Sequence, residues 1–276
     1  MTISTACIGP TILSVTGGTE TSIGGAAGWT VPAKVNCIRS VKVSVACGTV
    51  HDAVLSAIPR LRIYSQDAKI EPCEILCEPV ASSPVTHGNG NPVWESKDYP
   101  LNVRVKGGDV IFFYGTDYVT MTTAPWMGID VTFSTDGGAG PQYHYKASAA
   151  VYATTVTAGA AHRDPTTYRI SGKKITCAMG VVWQTTSTAA VGCIGKFSLT
   201  STDFNIPYGI EWNQQGGGGI LSVGDLEIHL STAGKINPDE GQQLDIEIRD
   251  PCNITQTWTN GPTNIVGAFV TGVQYI

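Results

Sequence analysis

The sequence predicts an all-β protein made of two tandem antiparallel β-sandwiches, of the jelly-roll kind, and three observations carry that prediction. Apolar and polar residues alternate at period two: Val35, Cys37, Val41, Val43, Val45 and Cys47 share one parity, and Lys34, Ser40, Lys42 and Ser44 take the other. Helical periodicity is sustained nowhere along the chain. A set of landmarks appears twice in the same order.

The composition suits such a fold. At 276 residues and 29.1 kDa the chain is long enough for one large β domain or two of roughly 130 residues each. Charged residues make up 14% of it, against about 25% in an average domain. Thr, Ser, Gly, Ala and Val take their place. β-Branched residues fit a pleated, half-buried surface, and the 32 Gly and 15 Pro are spread as turn formers.

Residues 1–28 are small, polar and glycine-rich, and read as an N-terminal arm or a loosely attached first strand. The first sandwich is expected over 29–134. Trp29 opens it, and the alternation through Cys47 follows, with Arg39 as the one break in parity. His51 to Pro59 reads as a short helix or turn, and Leu61 to Ser65 as a strand. The CEILC segment is a further strand, followed by a long loop with Pro and Asn-Gly turns. Leu101 to Val105, the turn KGGD and Val110 to Gly115 have the form of a hairpin. Ile129, Val131 and Phe133 alternate in a closing strand.

From 135 to 167 the pattern dissolves into Ala, Thr and Gly, which reads as the inter-domain connection, with a short strand in VYATTV. The second sandwich is expected over 168–276. Ile175, Cys177, Met179, Val181 and Trp183 alternate there, followed by IGKFSL, GIEW, the glycine run QQGGGG, DLEIHL, LDIEI and a terminal AFVTGVQYI.

The halves match by landmarks. Phe133 follows Trp29 by 104 positions, and Tyr275 follows Tyr168 by 107. Cys37 follows Trp29 by 8, and Cys177 follows Tyr168 by 9. Gly108 and Gly241, in the similar stretches KGGDVIFFYGTD and DEGQQLDIEIRD, lie 79 and 73 positions after those aromatics. This order predicts a duplicated fold. Long early strands, a wide middle loop and a late polar hairpin favour jelly roll over immunoglobulin-like order, and no Cys…Trp…Cys core is evident.

The formal charge of −5 and the absence of any charged side chain from Met1 to Thr19 argue against direct nucleic-acid binding, which needs clustered Lys and Arg. No apolar run reaches the length of a membrane-spanning helix. MTISTACIGPTILSVTGG, interrupted at Gly9-Pro10, lacks the basic start and apolar core of a secretory signal. The eight cysteines read as core residues, with disulfides or a metal site as the alternatives; Cys37, Cys47 and Cys177 lie on apolar parities and are expected to be buried.

No chemistry is nominated. His51, His87, His144, His162 and His229 have no metal-ligand spacing, and HExxH, GxSxG, CxxC and P-loop motifs are absent. His229 with Asp225 and Glu227 makes a polar strand face. Asp239, Glu240, Asp245 and Glu247 read as turn and strand polarity, and Glu71, Glu74 and Glu78 bracket CEILC. His144, between Tyr143 and Tyr145, reads as packing or a subunit contact. No catalytic residue, cofactor site or metal site is expected. Trp94, Trp212 and Trp258 lie in polar surroundings that would suit sugar stacking, whereas Trp29, Trp126 and Trp183 read as core or rim. Asn253-Ile-Thr is a glycosylation sequon, meaningful only in a secreted eukaryotic protein.

With its paired landmarks at Trp29/Tyr168, Gly108/Gly241 and Phe133/Tyr275, the whole chain resembles in architecture the double-jelly-roll major capsid proteins of icosahedral viruses. The resemblance implies a structural protein, not an enzyme. It implies two upright jelly rolls per subunit, three subunits per capsomer, and a place in the virion after assembly in host cytoplasm. The partners it implies are further copies and other capsid proteins. The acidic charge fits members whose shell overlies an internal membrane and does not touch the genome. The other reading is a tandem carbohydrate-binding or adhesive module with a glycan partner.

Overall fold

The computed structural model describes residues 2–46, 59–67, 69–77, 93–95, 98–118, 120, 124–138, 140–156, 161–170, 174–184, 194–201, 214–215, 246–247, 252–260 and 265–276. Side chains are described up to 147, apart from 93–95, and again from 274. All regular structure among these residues is β, and every strand pairing is antiparallel. The chain divides into two compact units, Met1–Tyr145 and Lys146–Ile276.

The first unit runs β1 (Ile3–Ile12), β2 (Thr21–Ser22), β3 (Trp29–Thr30), β4 (Cys37–Ala46), β5 (Pro59–Ser65), β6 (Cys73–Leu76), β7 (Val93–Glu95), β8 (Tyr99–Arg104), β9 (Val110–Asp117) and β10 (Trp126–Ser134). One sheet has the order β1-β10-β4-β7, with β8 also on β4. The other has the order β2-β9-β5-β6, with β3 also on β9. Counting β2 with β3 and β7 with β8 as broken single strands, chain order fills the sheets as first-eighth-third-sixth and second-seventh-fourth-fifth. That is the double Greek key of a jelly roll.

The second unit repeats it. β11 (His144–Val156), β12 (Ala161–Ile170), β13 (Lys174–Gln184), β14 (Ile194–Ser201), β15 (Gln214–Gln215), β16 (Ile246–Glu247), β17 (Cys252–Asn260) and β18 (Ile265–Tyr275) form the sheets β11-β18-β13-β16 and β12-β17-β14-β15. The strand order is the same, position for position.

Alternation builds the first core. Val41, Val43 and Val45 of β4 and Met127, Ile129 and Val131 of β10 are all buried, as are Leu61 and Ile63 of β5 and Ile111 and Phe113 of β9. Burying each such side chain contributes about 1.5–3 kcal/mol. Trp29 bridges the sheets, with ring centroids 6.3 Å from Phe113 and 6.0 Å from Phe133. Arg39, the break in parity, is a β-bulge: Ser40 pairs with Thr132 and Ile38 with Phe133, leaving Arg39 the extra residue.

Four sequence expectations are corrected here. Residues 1–28 are not an arm, because β1 is hydrogen-bonded along β10 and contributes Ile8 to the core, with Leu13 buried just beyond it. The first jelly roll therefore begins at β1 and not at Trp29. Segment 135–167 is not a bare connection, since β11 and most of β12 lie in it; its Ala and Thr are small on both strand faces, so alternation gave no contrast there. KGGD closes no hairpin, because β8 lies beside β4 and β9 beside β5 in the other sheet. Gly108, at φ 91°, makes that crossing, and its N–H donates to Val31 O at 2.9 Å.

The glycine landmark is corrected as well. VIFFYG is β9, the seventh strand position, whereas LDIEI carries β16, the sixth. The true counterpart of β9 is β17. Trp29 and Tyr168, Cys37 and Cys177, and Phe133 and Tyr275 do fall on equivalent strands.

Candidate assembly surface

Among the described residues, the polar side chains nominated from sequence do not converge on a site. His144 is buried, its Nδ1 lying 3.2 Å from Glu71 Oε2. Glu74 lies on β6, where it accepts from Arg60 at 3.3 Å. His162 and Trp258 are register partners on β12 and β17, Trp94 lies on β7, and Glu247 and Asn253 lie on β16 and β17. His51, His87, His229, Glu78, Trp212, Asp225, Glu227, Asp239, Glu240 and Asp245 fall outside the described residues. Among the described residues no three His, Cys, Asp or Glu side chains are grouped to hold a metal ion, and no helix is long and apolar enough to cross a membrane.

The cysteines divide by position. Cys37, Cys73 and Cys77 are buried, the last two sharing the inner face with Ile75 as their spacing predicts. Burial pushes the Cys37 thiol above its ordinary pKa, although nearby Arg39 pulls the other way. Cys47 lies outside the described residues, and Cys177 has its backbone alone described, on β13. Cys7 is free and exposed.

Cys7 belongs to the outer face of the β1-β10-β4 sheet. Cys7, Asp130 and Lys42 line up across the three strands, as do Ile12, Trp126 and Ala46. Gly128 sits between the two rows, and a Cβ there would meet only Ile8 O and Pro10 Cα, both at 3.9 Å. The result is a groove of about 240 Å³ lined by Cys7, Pro10, Ser44, Ala46, Trp126 and Asp130. The Asp130 carboxylate, register partner of Cys7, holds the thiol pKa above its ordinary value. Trp126, expected in the core or rim, is 41% exposed.

The outer face of the β9-β5 sheet is built differently. Glu20 accepts from Arg60 at 2.7 Å and from Arg62 at 2.6 Å. Arg62 lies over the rings of Tyr64 and Tyr114, and Tyr64 stacks on Phe112 and Tyr114 at 5.3 and 5.6 Å. The hydrogen bond between Tyr64 and Tyr114 raises the Tyr64 pKa, and burial raises that of Tyr118 strongly. This face pairs both guanidinium groups with Glu20, although Arg60 Nε and Arg62 Nε are buried without an acceptor.

Strand β1 carries no charged side chain. Ile3, Ile12, Val15 and Trp126 are the large apolar side chains exposed among the described residues, and all lie on or beside β1. Sequence reasoning missed this surface, although its signal, the charge-free stretch to Thr19, was legible and pointed to an arm.

No protein-family model matches the chain, and no curated protein matches it. Among solved structures it is similar to a crystal structure of the STIV major capsid protein, with TM-score 0.44 and 12% identity over 100% of this chain and 97% of that one. It is similar also to the major capsid protein P2 of bacteriophage PM2, with TM-score 0.41 and 11% identity over 99% and 97%. PNGase F, a glycosylasparaginase of Flavobacterium meningosepticum, follows with TM-score 0.37 and 11% identity over 100% and 96%. Likenesses of this depth assign the chain no family.

Proposed function

We propose that this chain is a structural protein, a major capsid protein whose copies assemble into the icosahedral shell of a virus. The observation that carries this reading is the duplication: one jelly-roll strand order is completed twice in succession, by β1–β10 and by β11–β18. A chain with two similar modules presents two similar outer surfaces. Three such chains supply six modules, which suits a capsomer that tiles a shell. On this reading the protein forms homotrimers, meets other capsid proteins, and resides in the virion after assembly in host cytoplasm. It performs no catalysis. Its net charge of −5 supports a shell that does not bind the genome directly and that can overlie an internal membrane.

Light scattering after size-exclusion chromatography, with electron microscopy of the same fractions, tests it. Trimers and closed particles are expected. A protein that stays monomeric at high concentration overturns the reading. One observation favours the carbohydrate-binding alternative: Trp126 stands exposed at the groove that also holds Gly128, Ser44 and Asp130. A monomer that binds a glycan, and loses it on Trp126→Ala, would establish that reading instead.

A further inference from the structure

The polarity of the β1–β10 ladder is fixed by its ends. Thr135 N–H donates to Thr2 O at 3.2 Å, while Ser134 O accepts from Asn36 N–H at 3.0 Å on the opposite side. Thr2 and Thr135 are therefore a hydrogen-bonded pair, and in an antiparallel ladder such pairs alternate. Ser4, Ala6 and Ile8 turn their backbone groups toward Phe133, Val131 and Ile129. Ile3, Thr5 and Cys7 turn theirs away from β10, and β1 is the outermost strand of its sheet among the described residues.

A long open edge is a template for another strand, and proteins usually blunt it with charge. Here there is none, because the first charged side chain in the chain is Glu20. Ile3, Thr5 and Cys7 are exposed together on the outer face. Past Ile8 the register with β10 shifts before it resumes at Thr11, and Pro10 offers no N–H, so the regular free edge ends there.

We propose that β1 is a docking edge for a second copy of this chain, the two β1 strands pairing antiparallel about a two-fold axis at Thr5. The free groups at Ile3, Thr5 and Cys7 are self-complementary in one register. Ile3 then faces Cys7 of the other copy, Thr5 faces Thr5, and Cys7 faces Ile3. Charge selects this occupant, since the two-fold brings no like charges together and buries no unpaired one. A charged strand from another protein would lose hydration and find no counter-charge. The inference concerns one contact between copies, and it stands whether or not those copies close a shell.

Disulfide trapping tests the register. In a hydrogen-bonded antiparallel pair the Cα atoms are about 5.5 Å apart, within disulfide reach. On a Cys7→Ser background, Thr5→Cys should oxidise to a dimer linked through residue 5, several-fold faster than Ser4→Cys on the same background. Equal trapping at both positions, or none at residue 5, overturns the inference. Sedimentation velocity gives a second reading. Thr5→Lys should weaken association by about an order of magnitude or more, with the thermal midpoint of unfolding unchanged, and undiminished association overturns the proposal. Trimers retained in Thr5→Lys protein would separate this contact from trimerisation. Trapping at residue 5 in a protein that never forms trimers would remove the capsid reading and leave this contact standing.

Discussion

Cys7 on β1 and Asp130 on β10 are register partners at the sheet edge, and the Asp130 carboxylate holds the thiol above its ordinary pKa. The pair makes an exposed cysteine less reactive than its exposure suggests, because the thiolate is the nucleophile and a neighbouring carboxylate disfavours it.

Dilute native protein at pH 8 should therefore label at Cys7 with iodoacetamide, but more slowly than a model peptide thiol. The sign follows from the raised pKa: at any pH below it, less thiolate is present than in an unperturbed cysteine. Asp130→Asn removes the charge, lowers the thiol pKa and should speed labelling several-fold. Cys37, Cys73 and Cys77 should label only after unfolding. Peptide mass spectrometry of timed samples reads both results, and an unchanged Cys7 rate in Asp130→Asn would show that the carboxylate does not control the thiol.

Arg39 anchors the end of β10. Its Nε donates to Ser134 Oγ at 2.9 Å and its guanidinium lies 3.4 Å from Asp136 Oδ2, while the Ser134 hydroxyl donates to Asp136 O at 3.2 Å. Arg39→Ala should lower unfolding stability by about 1–2 kcal/mol, a figure held down by the exposure of Asp136. Arg39→Lys should recover little of it, because a point charge cannot reproduce the fork. Urea midpoints at constant slope check both.

Gly115 on β9 lies against side chains of Leu13, Ile23 and Met127. A Cβ there would lie 2.6 Å from Leu13 Cδ2, 2.8 Å from Met127 Sδ and 2.9 Å from Ile23 Cδ1. Gly115→Ala should cost about 1–3 kcal/mol by overpacking. Gly137→Ala, with nothing within 4 Å and no positive φ, should be nearly neutral. Thermal unfolding of the two variants side by side separates packing from backbone effects.

Much of the architecture was legible because burial on one face writes a period of two. Val41, Val43 and Val45 revealed β4, and Arg39 stood out because a bulge adds one residue and shifts parity. The duplication showed in Trp29/Tyr168 and Phe133/Tyr275, since equivalent strands carry similar bulk. Sheet membership was not legible. KGGD reads as a hairpin turn whether its strands pair or part, and local sequence does not record which partner lies beside β8. For β1 the sequence left two alternatives, an arm or a loosely attached first strand. Ile8 is the one buried residue of a strand whose other residues are exposed or half-buried and uncharged, so the pattern resembles a tail. The edge at Ile3, Thr5 and Cys7 depends on ladder polarity, which no side chain encodes.

The reassignment of β1 reverses what truncation should do. An arm can be removed and leave each sandwich folded. Deleting residues 2–12 instead strips the first strand from the β1-β10-β4 sheet, uncovers the buried Met127, Ile129 and Val131 of β10, and removes Ile8 from the core. It also frees the segment through Glu20, whose carboxylate holds Arg60 and Arg62 on the other sheet. The lost ladder and core contacts together approach the roughly 5–15 kcal/mol that a whole domain has to spare. The truncated protein is therefore expected to lose the unfolding transition of its first unit in calorimetry, to bind a hydrophobic dye, and to aggregate. A truncated protein with the full-length transition and a sharp native amide spectrum would return residues 1–28 to the role of an arm. Glu20→Ala in the intact chain is the milder counterpart. It leaves β1 in place, removes the shared acceptor of two guanidinium groups, and should destabilise by about 1–2 kcal/mol, with the difference shrinking at high salt.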